Sequence, residues 1–126
     1  MKSRETLLRA KRFEASETTR KVGDLEHMIR EFEHMVTDLD RQISAEEDRT
    51  GVKDVTHFAY STFAKATCQR RMNLQASIEG LAAKLDAAIR ERDAAQAELA
   101  AVIVPDARDQ VRGRRRMERG SGATMR

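Results

Sequence analysis

Proline, glycine and aromatic residues are all scarce in this sequence of 126 residues. It contains one Pro, six Gly, four Phe, one Tyr and no Trp. Turn-forming residues at this frequency are too few for the short strands and many loops of a β-sandwich or β-barrel. So few aromatic side chains also leave little material to line an apolar pocket of the kind that enzymes use. The composition therefore argues against an all-β fold and against an enzyme.

Cysteine is also scarce, with one residue, and long apolar runs are missing. The single thiol, Cys68, has no partner for an intramolecular disulfide or a cysteine-rich metal knuckle, and a lone thiol is typical of a reducing compartment. No stretch approaches the ~20 apolar residues of a membrane span. The charged start is not followed by the apolar segment of a secretory signal. We therefore expect a soluble, cytoplasmic protein.

Charged residues, in contrast, make up 36% of the chain, and their signs are unevenly distributed. Residues 1–21 carry a net charge of +4, residues 22–50 carry −6, residues 51–104 carry +1 and residues 105–126 carry +4. A chain that folds back on itself would bring its two basic ends together. Such a basic surface favours an acidic protein, a nucleic acid or an anionic membrane as partner.

The first half of the sequence has a heptad repeat of apolar residues. From Val22 to Ile43 the apolar positions are spaced alternately three and four residues apart, which places one apolar stripe along a helix. Upstream, Lys11 and Thr18 occupy stripe positions, so we expect looser packing there. The predicted seam consists of Leu8, Lys11, Ala15, Thr18, Val22, Leu25, Ile29, Phe32, Val36, Leu39, Ile43 and Glu46.

A second heptad repeat follows after a break that begins at Thr50 and Gly51. Glycine at this point is a common helix stop, and Asp54, Ser61 or Thr62 could cap the next helix. Pro105 is expected at or just past the end of the second helix. The second seam consists of Leu74, Ile78, Leu81, Leu85, Ala88, Arg92, Ala95, Leu99 and Val102.

These patterns predict an all-α fold with two long helices in an antiparallel coiled-coil hairpin. Helix one covers about residues 3–50, the connector about 51–62 and helix two about 63–104, so that the hairpin spans residues 1–104. Residues 105–126 are rich in Arg and Gly and are predicted to be a disordered, flexible basic tail. The alternative is a parallel homodimer of separate helices, and the sequence leaves monomer and dimer both open.

Chemistry-bearing residue patterns are sparse. His27, Glu31 and His34 lie on one side of the first helix, but that side is opposite the seam, so solvated surface residues are the favoured interpretation over a metal site. Cys68 has no His placed to activate it, and a half-buried helical thiol is expected. No phosphate-binding glycine motif is present. We therefore predict no catalytic residues, no metal and no cofactor.

Two groups of residues are candidates for binding a partner protein. Phe13 falls on the outer face of the first helix, among basic side chains, which is typical of a docking surface. The alternative is that the heptad frame shifts near the start of the helix, so that Phe13 packs against the other helix. The aromatic residues of the connector form the second group, although a small cap over the hairpin end is the favoured interpretation there. The candidates are Leu7, Leu8, Arg9, Arg12, Phe13, His57, Phe58 and Tyr60.

Three segments resemble a known family. The opening MKSRETL (1–7), the connector DVTHFAY (54–60) and RRMNL (70–74) resemble the flagellar export protein FliJ in its alphaproteobacterial form. The similarity covers roughly residues 1–110, and the Arg/Gly-rich end after Pro105 departs from the family pattern. The connector followed by RRMNL is the specific part, since any coiled coil supplies the heptads.

The resemblance implies a two-helix antiparallel coiled coil similar to the central stalk subunit of rotary ATPases. It implies a noncatalytic component of the flagellar type III export apparatus, in the cytoplasm and peripherally associated with the inner membrane at the flagellar base. The implied partners are the hexameric export ATPase, the membrane export gate protein and export chaperones, with no small-molecule substrate. The alternatives are a generic coiled-coil scaffold and a basic-ended nucleic-acid-binding rod, the latter disfavoured because aromatic stacking platforms and nucleic-acid motifs are missing.

Overall fold

The computed structural model consists of two long α-helices that pack against each other as a helical hairpin. It describes the backbone of residues 2–124 and the side chains of residues 3–103. Helix α1 spans Lys2–Thr50 and helix α2 spans Thr62–Thr124. The described residues contain no strand. The predicted all-α hairpin is confirmed.

The chain divides into two compact units. We call residues Met1–Arg20 with Ile89–Arg126 the terminal unit, and residues Lys21–Ala88, which include the connector, the loop unit. In the terminal unit Arg4 contacts the backbone of Val102. In the same unit Lys11 contacts Glu98. The number of the contacted residue in α2 falls as the residue number in α1 rises, so the two helices are antiparallel.

The loop unit has an almost entirely apolar seam. Val22, Val36 and Leu39 of α1 are buried, as are Leu81 and Ala88 of α2. The residues between them in the heptads are half-buried, as expected when only two helices share a seam. The predicted stripe therefore faces the opposite helix.

The α2 seam begins earlier than the sequence pattern predicts. Ala64 and Thr67 are buried and Arg71 is half-buried, although all three residues precede Leu74, the first residue of the predicted α2 seam. Thr67 is tolerated in the seam because its hydroxyl donates to the Phe63 carbonyl at 2.8 Å and leaves its methyl group for packing. Arg71 extends to the Asp40 carboxylate of α1.

The terminal unit keeps the same heptad frame with a different composition. Ala15 and Ala95 are its buried seam residues. Lys11, Thr18 and Arg92 are half-buried at seam positions, as the heptads place them. Small and polar side chains thus replace the large apolar ones of the loop unit.

The two helix boundaries at the connector form as predicted, whereas the end of α2 differs. Gly51 has a φ of +73° and donates its N–H to the Glu47 carbonyl at 2.8 Å, which is the left-handed cap of α1. We predicted that α2 ends near residue 104, but it continues to Thr124. A proline inside a helix removes one backbone hydrogen bond and its ring clashes with the carbonyl four residues earlier, and the high helix propensity of the flanking Ala- and Arg-rich sequence offsets part of that cost. The predicted flexible tail lies outside the residues whose side chains are described.

The buried seam alanines give the first prediction. Ala88 is 1% exposed, and we expect Ala88→Leu to lower the free energy of unfolding by about 1–3 kcal/mol because the added methylene groups force the helices apart. Urea denaturation followed by circular dichroism measures this change. Ala83→Leu, on the exposed side of the same helix, is the matched control. Equal stability of the two variants would contradict close packing at Ala88.

Candidate partner-binding surfaces

Phe13 is exposed on α1 of the terminal unit. It is 67% exposed, so its side chain faces outward and does not pack in the seam. Its position follows from the heptad: Lys11 and Ala15 occupy the seam on either side, so Phe13 lies on the opposite face of the helix. A large aromatic side chain left in water favours burial against another molecule.

The other candidates on this part of α1 divide between the surface and the seam. Arg9 and Arg12 are exposed, and Leu7 is 46% exposed. Leu8 is half-buried at its seam position. Arg9, Arg12 and Leu8 line a shallow depression together with Glu5. The structure thus brings exposed apolar and basic groups together along this stretch, with Leu8 contributing from the edge of the seam.

An ion pair crosses the seam close to these residues in the chain. Lys11 Nζ donates to Glu98 Oε2 at 2.7 Å and lies 3.8 Å from Glu14. The hydrogen bond to Glu98 raises the pKa of Lys11, so the side chain remains a cation. The two side chains are partly exposed, 28% for Lys11 and 52% for Glu98. Lys11 therefore tolerates its seam position by keeping its ammonium group at the surface.

The connector holds Phe58 away from both helices. Two tight turns follow one another, with the His57 N–H donating to the Asp54 carbonyl and the Tyr60 N–H to the His57 carbonyl, both at 3.0 Å. The rings of His57 and Phe58 stack, with centroids 4.6 Å apart. Phe58 is 96% exposed, and His57 is also exposed. Both remain candidates for contact with a partner.

Tyr60, unlike His57 and Phe58, is buried at the hairpin end, and its contact with a partner stays a prediction. It is 7% exposed. Its hydroxyl donates to Glu47 Oε2 at 2.8 Å and lies 3.9 Å from Cys68 Sγ. The sequence favours a small cap over the hairpin end for the connector aromatics. Tyr60 packs as such a cap, whereas Phe58 does not.

A second carboxylate ties the same end of the hairpin. Ser61 donates its hydroxyl to Glu46 Oε1 at 2.9 Å and accepts the Ala64 N–H at 3.2 Å, so it is the N-cap of α2. Arg49 donates to both Glu46 oxygens. The bonds from Arg49 and Ser61 lower the pKa of Glu46. Asp54 instead binds Thr56 within the connector, so of the three predicted caps Ser61 is the one used.

The remaining sequence candidates lie where the heptads put them. His27 and Glu31 form an exposed pair at 3.1 Å, and His34 is exposed. Cys68 is half-buried, as expected. Within residues 3–103 no group of His, Cys, Asp and Glu side chains is arranged to hold a metal ion.

Sequence reasoning missed exposed apolar side chains in the loop unit. Met72 of α2 is 62% exposed, and Met28 and Met35 of α1 are 42% and 46% exposed. Phe63, which belongs with the aromatic residues of the connector, is 54% exposed. The heptad frame places the three methionines outside the seam, which is the signal that could have identified them.

In the part of the chain that the structure describes, neither helix contains a segment long and apolar enough to cross a membrane. Comparisons with protein-family models, curated proteins and solved structures give no match for this chain. Function must therefore be argued from the fold and from the surfaces described above.

The buried phenol predicts the response to alkaline pH. The hydrogen bond to Glu47, with burial and Cys68 adding to it, raises the pKa of Tyr60 well above its ordinary value of 10.0. A raised folded-state pKa means that the stabilisation is fully present below the unfolded-state pKa and is lost as the pH rises through the folded-state pKa. Tyr60 is the only tyrosine, so phenolate absorbance reports on this residue alone.

We therefore expect the native chain to form phenolate at a higher pH than the urea-unfolded chain, with loss of helix by circular dichroism accompanying ionisation. Tyr60→Phe removes this titration and should make the alkaline loss of helix less steep. A native titration curve that superimposes on the unfolded one would contradict the Tyr60–Glu47 bond.

The N-cap gives a third prediction. Ser61→Ala removes the acceptor for the Ala64 N–H, and we expect a loss of about 1 kcal/mol in the free energy of unfolding. Ser77→Ala is the matched control, because the Ser77 hydroxyl donates only to a carbonyl of its own helix. Urea denaturation of both variants measures the difference. A Ser61→Ala chain as stable as the Ser77→Ala chain would argue against the cap.

Proposed function

We propose that this chain is a noncatalytic coiled-coil component of the flagellar type III protein export apparatus. In this role it is a stalk and adaptor that binds the hexameric export ATPase, promotes assembly of the ATPase ring and couples it to the export gate protein. Escort of export chaperones belongs to the same proposal. The site of action is the cytoplasm, with peripheral association at the inner membrane of the flagellar base.

The observation that carries the proposal is the exposed Phe13 among basic side chains on a two-helix hairpin. Its exposure supplies an apolar anchor, and Arg9 and Arg12 supply positive charge beside it. Aromatic and Arg side chains are the residues most often found as binding hot spots. An acidic, partly apolar surface on the ATPase ring is the partner that such chemistry fits.

The hairpin fold supports the proposal together with the segments that resemble FliJ. Two packed helices, each ~10–12 Å across, are narrow enough for the central hole of a ring. Phe58 offers a second exposed aromatic contact, in the loop unit, for a different partner such as the gate protein. An adaptor needs at least two such surfaces.

Light scattering on a sizing column tests the proposal. We expect the purified chain to be a ~14 kDa monomer that joins a higher-order assembly when its host's export ATPase is added. A stable dimer that leaves the ATPase unbound would contradict the proposal and favour a coiled-coil scaffold. Retention on DNA or RNA that falls steeply with salt would favour the nucleic-acid-binding rod.

Phe13→Ala gives the fourth prediction. We expect affinity for the ATPase to fall on the order of tenfold or more, because truncation of a buried aromatic anchor costs about 2 kcal/mol or more. Met72→Ala, which shortens a side chain of similar exposure on α2, is the matched control and should bind normally. Calorimetry on both variants measures the difference. Unchanged binding by Phe13→Ala would remove this residue from the docking surface.

A further inference from the structure

The two units differ in what fills the seam between their helices. In the loop unit, α1 contributes only apolar residues from Val22 to Ile43. Among the terminal-unit residues whose side chains the structure describes, the large apolar seam residues are Leu8, Leu99 and Val102. The other seam positions hold small or polar side chains: Lys11, Ala15, Thr18, Arg92 and Ala95. Since apolar burial drives helix association, the terminal unit is held together more weakly.

Two polar seam residues of the terminal unit, Thr18 and Arg92, have hydrogen-bond partners within their own helices. Thr18 donates its hydroxyl to the Glu14 carbonyl at 2.9 Å, one turn earlier in α1. Arg92 pairs with the adjacent Asp93 at 3.2 Å. Neither bond would break if the two helices moved apart. Separation of the two helices therefore leaves Thr18 and Arg92 hydrogen-bonded, which lowers the free-energy cost of separating the helices.

The cross-helix bond of Lys11 is one that water can replace. Lys11 and Glu98 meet at 2.7 Å with both side chains partly exposed. Exposed ion pairs contribute little to stability and are screened by salt. Lys11 also has Glu14 within 3.8 Å on its own helix. The pair thus closes the seam without making closure hard to reverse.

We propose that the terminal unit is a conformational device that opens as one cooperative unit, its two helices separating while the loop unit remains packed. Opening uncovers the seam faces of both helices, including Leu8 on α1 and Leu99 on α2. The inference concerns the isolated chain, so it goes beyond the proposed function and does not depend on it.

Amide hydrogen exchange of the full-length chain tests the proposal. We expect residues 8–18 and 92–102 to exchange at least tenfold faster than residues 29–43 and 74–85, with similar protection throughout the two faster segments. Simple fraying of helix ends would instead give protection that falls steadily towards residue 8 and residue 102. Such a gradient, or equal protection in both units, would overturn the proposal.

A seam substitution tests the cause. Lys11→Leu with Thr18→Leu fills the terminal seam with apolar side chains, and we expect about tenfold slower exchange at 8–18 and 92–102 with no change at 29–43. Arg20→Leu, at an exposed position of the same helix, controls for added hydrophobicity. Unchanged exchange in the double variant would overturn the proposal.

Glu98→Gln tests the closing pair without altering the size of the side chain. We expect severalfold faster exchange of both terminal-unit segments, with the loop unit unchanged. Raising the salt concentration should have the same effect on the unaltered chain and little effect on Glu98→Gln. Equal salt responses of the two chains would contradict the role of the Lys11–Glu98 pair.

Discussion

The reversal of the chain between the two helices is the constraint on which the packing of the loop unit depends. Gly51 ends α1 in a backbone conformation that residues with a Cβ rarely adopt, and Ser61 begins α2. Two consecutive carboxylates, Glu46 and Glu47, bind Ser61 and Tyr60 across this turn. A slip of one residue would break both bonds and displace the seam residues from the spaces they fill, so the turn and the heptads specify one register.

Stability is distributed unevenly because the two seams are built from different residues. Large apolar side chains fill the α1 seam from Val22 to Ile43 and the α2 seam from Leu74 to Leu85, whereas small and polar side chains occupy most described seam positions of the terminal unit. Alanine permits close helix approach but buries little surface. The exposed Phe13 belongs to the weaker unit. The basic start of α1 and the exposed Phe13 therefore lie in the unit whose helices, as we propose, separate at the lower cost.

Periodicity and cap chemistry were enough to predict the helices, the seam and both boundaries at the connector. The pattern failed where polar residues pack like apolar ones: Thr67 enters the seam because its hydroxyl is satisfied by its own helix. The sequence favours a cap for the connector aromatics as a group but does not separate Tyr60 from Phe58, because the separation depends on the position of Glu47 across the turn. Pro105 was given too much weight as a helix stop, since flanking residues can sustain the helix around it.

The candidate surfaces were less predictable than the fold, because exposure near the start of α1 depends on whether the heptad frame persists through Lys11 and Thr18. It does persist, since Lys11 reaches the surface and Thr18 bonds to its own backbone, and Phe13 is thereby held outward. Phe58 is displayed separately by the turns of the connector. A scaffold that only dimerises needs one continuous apolar stripe, whereas exposed aromatic side chains in different chemical surroundings, such as Phe13 and Phe58, suit different partners. That division of surfaces is what the proposed adaptor needs.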